Sequence, residues 1–165
     1  MATNLLKVYN ALLEIDHLDD RAKTESLTRV FKRDFASEPG LFFRKRSVEP
    51  TPGEEDKLQR LLRHFTTVVA DHKTMKREYE AERSKRLHWI KVHIEETTKA
   101  DAVVFSSQDK DGVRTYLLNK DEKYVVVLEP LRKNSAYYIL SAYRLGADSY
   151  RKMMNKYKRK LDYIA

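Results

Sequence analysis

A series of short apolar segments in the second half of the chain, separated by turn signals, is the feature that most constrains its fold. The segments cover residues 102–106, 113–118, 124–128 and 136–143. Asp109-Lys110-Asp111-Gly112 and Asn119-Lys120-Asp121-Glu122 separate the first three, and the first of these is a typical hairpin turn signal. Four apolar runs joined by short connections predict a four-stranded antiparallel sheet, a meander.

Helical patterns account for most of the remaining sequence. We predict helices over residues 4–18, 24–35, 51–69 and 76–85, and a basic helix over residues 149–163. Leu87–Ile94 fits both a helical stripe and strand alternation, and we favour a helix there. Leu41-Phe42-Phe43 is a candidate short strand. N-terminal helices followed by an antiparallel sheet and a basic C-terminal helix define an α+β fold class.

The best candidate for a domain boundary is the Pro- and Gly-containing stretch Val48–Gly53. It predicts a helical N-terminal region over residues 1–50 and an α+β domain over residues 51–165. A chain of 165 residues is long enough to bury a sizeable core.

Positive charge is concentrated near the C-terminus. The chain has 33 basic and 25 acidic residues, and residues 131–160 hold nine of the basic residues and only Asp148 as an acid. This window therefore carries the whole net charge of +8, with tyrosines interleaved among the cations. Such a mixture is typical of a nucleic-acid-binding surface that combines phosphate neutralisation with base stacking. The candidate contacts here are Arg132, Lys133, Arg144, Arg151, Lys152 and Lys156.

Several classes of function find no support in the sequence. There is no Cys for a disulfide, a thiolate metal site or a Cys nucleophile, and the five His are scattered. No Gly-rich phosphate-binding loop and no Gly-x-Ser-x-Gly turn occurs. We therefore predict neither a metal nor a cofactor. No membrane-spanning segment or signal peptide is apparent, so we expect a cytoplasmic protein without a membrane partner.

The remaining polar residues suit metal-independent cleavage of RNA. That reaction needs a base for the ribose 2′-hydroxyl, an acid for the leaving 5′-oxygen and cations for the phosphorus centre. His88 is the candidate acid or base, and Arg86, Lys91 and His93 surround it. His64 fits an ordinary position on a helix surface.

The predicted strands supply the other candidates for this chemistry. They are Arg114 on the second strand, and Ser141 and Tyr143 on the last. Tyr116, also on the second strand, is a candidate nucleic-acid contact. Strict alternation would place Tyr137, Ile139, Ser141 and Tyr143 on one face of that last strand.

Four stretches between residues 84 and 160, about half of the chain, carry a resemblance to a known group of nucleases. They are Arg86–Lys91 before the sheet, Arg114-Thr115-Tyr116, Tyr124–Glu129 and Ala136–Tyr143. Their order and spacing resemble the phage- and mobile-element-borne nucleases of the barnase–EndoU–colicin–RelE-like superfamily. The resemblance implies a metal-independent, toxin-like endoribonuclease whose sheet holds RNA. It points to Arg86, Lys91, Arg114, Ser141 and Tyr143, although Ser141 stands where the family pattern has Thr.

Two other functions are compatible with the same residues. A regulator that binds nucleic acid without cleaving it explains the basic window equally well. A protein–protein adaptor would use the amphipathic N-terminal segments, including Leu5, Val8 and Leu12. The nuclease reading adds an antitoxin or immunity protein as a partner. The RNA target and the oligomeric state are not encoded in these patterns.

Overall fold

The computed structural model describes residues 3–53, 56–97, 101–131 and 135–165. Its helices are a 3₁₀ helix over Thr3–Leu6, α1 (Asp20–Phe35), α2 (Lys57–Thr66), α3 (Ala81–Ser84), α4 (Trp89–Ile94) and α5 (Ala147–Lys158). Its strands are β1 (Leu41–Phe43), β2 (Arg46–Pro50), β3 (Thr67–Asp71), β4 (Lys76–Tyr79), β5 (Ala102–Asp109), β6 (Gly112–Asn119), β7 (Tyr124–Pro130) and β8 (Ala136–Arg144). None of the helices in these described ranges has the length and apolar character needed to span a membrane.

A six-stranded mixed sheet forms the centre of the molecule, in the order β1-β2-β8-β7-β6-β5. β2 runs parallel to β8, and the other neighbours are antiparallel. The predicted four-stranded antiparallel sheet is therefore wrong as a description of the fold. Strands β5–β8 are present, but β8 is not an edge, because the N-terminal half of the chain extends the sheet. The boundary predicted at residue 50 falls at the end of β2 and stays a prediction.

The β1–β2 hairpin has a turn without the residues that usually mark a turn in sequence. Phe43 pairs with Arg46, so the loop consists of Arg44 and Lys45 alone. Both have positive φ, 48° and 73°, which is the conformation of the two-residue turn usually made by Asn-Gly. Because neither residue is a turn former, sequence reasoning found β1 but not the hairpin.

The predicted helix over residues 4–18 is absent apart from the short 3₁₀ helix. Asn10 has a φ of 71°, which no right-handed helix accepts. The Asn4 side chain instead closes an irregular loop, because its carbonyl oxygen accepts from the Glu14 amide at 2.8 Å. Leu13 and Ile15 are buried while Val8 is exposed, so tertiary contacts replaced the helical stripe.

A second N-terminal correction concerns residues 51–85. α2 starts later than predicted, behind an Asp56 cap, and ends at Thr66. The predicted helix over residues 76–85 is instead β4 and the short α3. β4 pairs with β3 to form a separate two-stranded sheet. Thr67, Val68 and Val69 favour this strand because their branched side chains suit a pleated surface.

The two sides of the main sheet are covered differently. On one side, here called the core side, Leu117 and Val126 join a large buried cluster with Phe31 of α1 and Trp89 of α4. On the other, here called the α5 side, Phe105, Leu118 and Val125 pack against Met153 of α5. Each strand contributes alternate residues to the two sides.

A β-bulge in β8 changes the predicted face of two residues. Val127 pairs with Ser141, but the next residue of β7, Leu128, pairs with Ile139, so Leu140 is extra. Tyr137 and Ile139 therefore point to the core side, whereas Ser141 and Tyr143 point to the α5 side. The expectation that all four share a face is wrong, because alternation does not continue through a bulge.

The segment after α5, residues 159–165, crosses the β5 edge and reaches the core side. The Leu161 amide donates to the Ser106 carbonyl at 2.8 Å. The Ala165 amide donates to the Ser106 hydroxyl at 2.9 Å, and the Ala165 oxygen accepts from Thr115 at 3.2 Å and from the Tyr137 hydroxyl. This segment therefore fastens α5 across the edge of the sheet.

Candidate functional site

Polar and charged side chains collect on the α5 side of β6, β7 and β8, beside α5 itself. We call this group the polar face. Its members are Arg114 and Tyr116 of β6, Glu129 of β7, Ser141 and Tyr143 of β8, Arg83 of α3 and Lys156 of α5. Except for the buried Tyr116, each of them is partly exposed.

The sheet register arranges the polar face in three rows. Tyr116 and Ser141 lie in the middle row, since both are partners of Val127. Glu129, with Arg114, lies in the row on one side, and Tyr143 lies in the row on the other. Neighbouring rows are about 7 Å apart and neighbouring strands about 4.8 Å apart. Ser141 is therefore placed between an acidic and basic pair and a phenol.

Tyr116 is held by two groups at its hydroxyl. It donates a hydrogen bond to Asp109, and the Lys156 ammonium donates to the Tyr116 oxygen at 2.9 Å and to the Asp109 carboxylate at 3.0 Å. Burial and the Asp109 carboxylate raise the pKa of Tyr116. The phenol therefore stays neutral, and Asp109 and Tyr116 together hold Lys156 over the sheet.

Arg114 and Glu129 form an ion pair across β6 and β7. The Arg114 Nη1 atom lies 3.3 Å from the Glu129 Oε2 atom, and the Glu129 side chain is 36% exposed. The Glu129 carboxylate thus keeps contact with solvent, and the Arg114 guanidinium fixes the orientation of that carboxylate. A cation and a proton acceptor are available side by side at this position.

Arg83 brings a second guanidinium to the polar face from α3. Its central carbon lies 5.5 Å from the centre of the Tyr143 ring, within range of a cation–π contact. Burial raises the pKa of Tyr143, and the Arg83 charge opposes that shift. Among the described residues, no group hydrogen-bonds the side-chain hydroxyls of Ser141 or Tyr143.

His64 lies near Arg83 and Arg77 at the end of α2. Burial, followed by the positive charges of Arg77 and Arg83, lowers the pKa of His64 to about 4, although a hydrogen bond with the Leu140 main chain opposes the shift. The imidazole is therefore neutral at neutral pH. Sequence reasoning had placed His64 on an ordinary helix surface, whereas it is partly buried beside two arginines.

The structure separates the candidate catalytic and nucleic-acid-binding residues into two groups. Arg114, Tyr116, Ser141, Tyr143 and Lys156 come together on the polar face. His88 and His93 lie beneath the core side, each 3% exposed. His88 Nε2 is bonded to the Val8 oxygen at 3.1 Å, and His93 Nδ1 to the Trp89 oxygen at 2.7 Å.

Two further candidates, Arg86 and Lys91, belong to the same helical stretch. Arg86 is buried and ion-paired with Glu82 at 2.8 Å. Lys91 lies 3.9 Å from Glu95 on α4. Neither has a described contact with the polar face. Arg86 and Lys91 are close to His88 in sequence because all three belong to one helical segment, and this segment lies on the core side.

The predicted nucleic-acid contacts near the C-terminus fall into several environments. Arg151 and Lys152 are both paired with Asp148 on the surface of α5. Arg144 is exposed at the end of β8. Arg132 and Lys133 lie outside the described residues. The rings of Tyr150 and Tyr157 are covered by Lys123 and by Lys120 and Lys160, so these tyrosines are already engaged in cation–π contacts.

Three members or neighbours of the polar face were missed from sequence. Glu129 carries a weak signal, because it lies at the end of an apolar run and alternation places it on the same face as Val125 and Val127. Asp109 was assigned to the turn that it borders. Arg83 could not be assigned to the polar face from sequence, since only the tertiary packing of α3 against β8 brings it to Tyr143.

In chemical terms, the polar face can bind an anion and move protons. Three cations, Arg83, Arg114 and Lys156, share this face with the Ser141 and Tyr143 hydroxyls and the partly exposed Glu129 carboxylate. Within the described ranges, no group of three His, Asp or Glu side chains has the arrangement of a metal site. Comparison of the chain with models of protein families, with curated proteins and with solved structures finds no match.

Proposed function

We propose that the polar face binds RNA and cleaves it as an endoribonuclease, by attack of a ribose 2′-hydroxyl on the adjacent phosphate. The observation that carries this proposal is the convergence of Arg114, Glu129, Ser141 and Tyr143 on one side of the sheet, with Arg83 and Lys156 beside them. The reaction needs a phosphate site between a proton acceptor and a proton donor, and the three-row arrangement is compatible with one.

Phosphate binding in this proposal uses the middle of the polar face. The Ser141 hydroxyl donates to a non-bridging oxygen, and Arg114 neutralises the charge that develops on the phosphorane. A guanidinium suits this role because its N–H groups match two oxygens of a phosphate at once. Lys156 adds its positive charge to that of Arg114, and Asp109 and Tyr116 hold it in place.

Proton transfer uses the outer rows. Glu129 accepts the proton of the 2′-hydroxyl as the 2′-oxygen attacks phosphorus. The bond from phosphorus to the 5′-oxygen then breaks, and Tyr143 donates its phenolic proton to that oxygen. The products are a 2′,3′-cyclic phosphate and a 5′-hydroxyl end. Arg83 stabilises the phenolate that Tyr143 leaves behind. Afterwards Glu129 releases its extra proton to solvent and Tyr143 takes one up, which restores both groups.

This assignment differs from the sequence-based one in its proton carrier. His88 was the candidate acid or base, but it is buried beneath the core side and bonded to Val8. Glu129 and Tyr143 replace it in the proposal because they flank Ser141. Arg114, Ser141 and Tyr143 keep the roles that the sequence suggested.

The biological setting of the proposal rests on the family resemblance. We propose that residues 84–160 are related to the barnase–EndoU–colicin–RelE-like nucleases and act as a toxin-like enzyme of a phage or mobile element in the cytoplasm. An antitoxin or immunity protein is then the expected partner. The support is that Arg114, Ser141 and Tyr143, three residues of the resemblance, share one surface.

The test is cleavage of total cellular RNA by the purified full chain in the presence of EDTA. We expect fragments that end in 2′,3′-cyclic phosphate. Arg114→Gln, Glu129→Gln and Tyr143→Phe should each lower kcat by about 10²-fold or more, because each removes a group that acts on the transition state. Arg21→Gln, which removes an exposed arginine of α1, is the matched control and should cleave normally.

Binding measured alongside cleavage separates an enzyme from a binding protein. Arg114→Gln should lose far more in kcat than in affinity for an uncleavable RNA analogue. Equal losses in both would contradict the catalytic role of Arg114. Intact RNA with strongly salt-dependent binding by the wild type would reject cleavage and favour the regulator that binds without reaction.

A further inference from the structure

Two arginines at the base of the β3–β4 hairpin lie unusually close together. The Arg77 Nη2 atom donates to the Thr67 carbonyl oxygen at 2.8 Å, and the Arg83 Nη1 atom lies 3.4 Å from the same oxygen. Since both contact one atom, the two guanidinium groups are about 6 Å apart or less, a distance at which like charges repel appreciably. Both side chains are partly buried.

Neutral groups hold these two arginines in place. Arg77 Nε donates to the Thr67 hydroxyl at 2.7 Å, and Arg83 Nη1 donates to the His64 carbonyl at 3.1 Å. Within the described part of the chain, no carboxylate forms an ion pair with either guanidinium. The nearby His64 imidazole is neutral and adds no further positive charge. The Glu80 carboxylate accepts from the Arg83 main-chain amide, and its charge acts on the Arg83 guanidinium without forming an ion pair. The hairpin base is thus an ordered pair of positive charges that are only partly compensated.

This arginine pair adjoins the polar face. Arg83 belongs to both, because its guanidinium also lies over the Tyr143 ring at 5.5 Å. An RNA strand that places one phosphate at Ser141 and Arg114 and continues past Tyr143 meets the arginine pair next. Guanidinium groups are well suited to the phosphate groups of such a strand.

We propose that Arg77 and Arg83 form a second phosphate-binding subsite, which takes a backbone phosphate next to the scissile one. The subsite rests on the proposed function for its choice of RNA as the ligand. It predicts a substrate that extends beyond the cleaved linkage on the hairpin side. Recognition there is independent of base identity, because phosphate contacts position a strand and carry no sequence information directly.

The experiment measures binding of a short single-stranded RNA whose 2′-hydroxyls are O-methylated, so that cleavage is impossible. Fluorescence anisotropy at several salt concentrations gives the affinity and its salt dependence for the full chain. We expect Arg77→Gln to weaken binding about tenfold, as loss of a charged hydrogen bond would. The slope of log affinity against log salt should fall by about 0.7, the value for one phosphate contact with a single strand.

Two variants serve as controls. Lys76→Gln removes the same charge from the neighbouring position of β4, which points to the opposite face of the hairpin. It should leave both affinity and salt slope close to those of the wild type. Arg77→Lys keeps the charge and should restore most of the salt slope. Unchanged thermal melting of all three variants shows that the hairpin still folds.

Three results would overturn the subsite. Equal effects of Arg77→Gln and Lys76→Gln would mean that only net charge matters. An unchanged salt slope in Arg77→Gln would mean that no phosphate is bound there. An equal loss of affinity for polyglutamate would make the pair a docking site for an acidic protein. Weaker binding by Arg77→Gln together with no cleavage by the wild type would support the subsite and reject the catalytic proposal separately.

Discussion

Thr115 ties two distant parts of the chain together through a single hydroxyl group. It is fully buried on β6, shares a hydrogen bond of 2.8 Å with the Ser106 hydroxyl and donates to the Ala165 oxygen at 3.2 Å. Arg46 Nη2 lies 3.3 Å from the same Ala165 oxygen. Because the Thr115 and Ser106 hydroxyls are out of reach of water, each depends on its partners for hydrogen bonding.

Thr115→Val tests this network at the residue scale. Valine has almost the same shape but cannot donate, so the folded state should lose about 1–3 kcal/mol, the cost of leaving buried polar atoms unsatisfied. Urea unfolding measures the loss. Thr115→Ser, which keeps the hydroxyl, should lose less, and Thr24→Val at an exposed position of α1 should change little. Equal stabilities of Thr115→Val and Thr24→Val would show that the hydroxyl network is unimportant.

At the scale of elements, α4 holds the irregular N-terminal segment through main-chain oxygens. The Trp89 indole donates to the Ala11 oxygen at 3.1 Å, and His88 Nε2 is bonded to the Val8 oxygen. Asn119 joins His93 to Tyr9, with 3.0 Å between its amide nitrogen and His93 Nε2. Since the Trp89 oxygen can only accept, His93 Nδ1 carries the proton and Nε2 accepts from Asn119.

The hydrogen bond from Asn119 requires a neutral His93, and burial favours the neutral form of both histidines. Burial lowers the pKa of His88 and of His93, and it exceeds the opposing effect of their bonds to main-chain oxygens. For His88, the Arg33 charge lowers the pKa further and the Asp34 charge raises it. For His93, protonation of Nε2 would also turn an N–H toward the amide group of Asn119. Acid should therefore release the segment from α4.

The stability of the fold should accordingly decrease below about pH 6.5, the pKa of histidine in the unfolded chain. The unfolded state then binds protons that the folded state excludes, so each histidine contributes a slope of up to about 1.4 kcal/mol per pH unit. Urea midpoints between neutral pH and about pH 5 measure this slope. His93→Gln, which cannot titrate, should flatten the curve. A slope identical in wild type and His93→Gln would contradict a buried, neutral His93.

At the scale of the whole molecule, buried residues between Leu13 and Val48 contribute to the same core as residues later in the chain. Phe43 packs edge to face on Tyr137, and β2 pairs with β8 over four residues. Phe31 of α1 lies in one buried cluster with Trp89 and Leu117. The sheet that carries the polar face therefore has its β8 edge completed by the N-terminal region.

Removal of residues 1–50 should consequently unfold the remaining chain, because it leaves a large apolar surface and the β8 edge open. We expect the fragment 51–165 to show no cooperative thermal transition and no cleavage or binding of RNA. Circular dichroism and calorimetry provide the measurement. A fragment that melts cooperatively would instead establish the domain boundary at residue 50. It would also favour the alternative in which the N-terminal region acts as a protein–protein adaptor.

Sequence patterns alone determined the local features of this protein. The turn signal at Asp109–Gly112 and the β-branched runs locate strands β5–β8, since these features depend on neighbouring residues. The basic, tyrosine-rich composition near the C-terminus directed attention to an anionic partner. Arg114, Ser141 and Tyr143 were named from sequence because they lie on these predictable strands.

Tertiary structure decided everything that depends on contacts between distant residues. It added β1 and β2 to the sheet, replaced the helix over residues 4–18 with a bound loop, and introduced the bulge that turns Ser141 and Tyr143 to the α5 side. It also brought Arg83 and Arg77 together on Thr67. Periodicity reports which residues share a face of one element. Packing determines which elements contact each other and where tertiary contacts override a local preference for helix or strand.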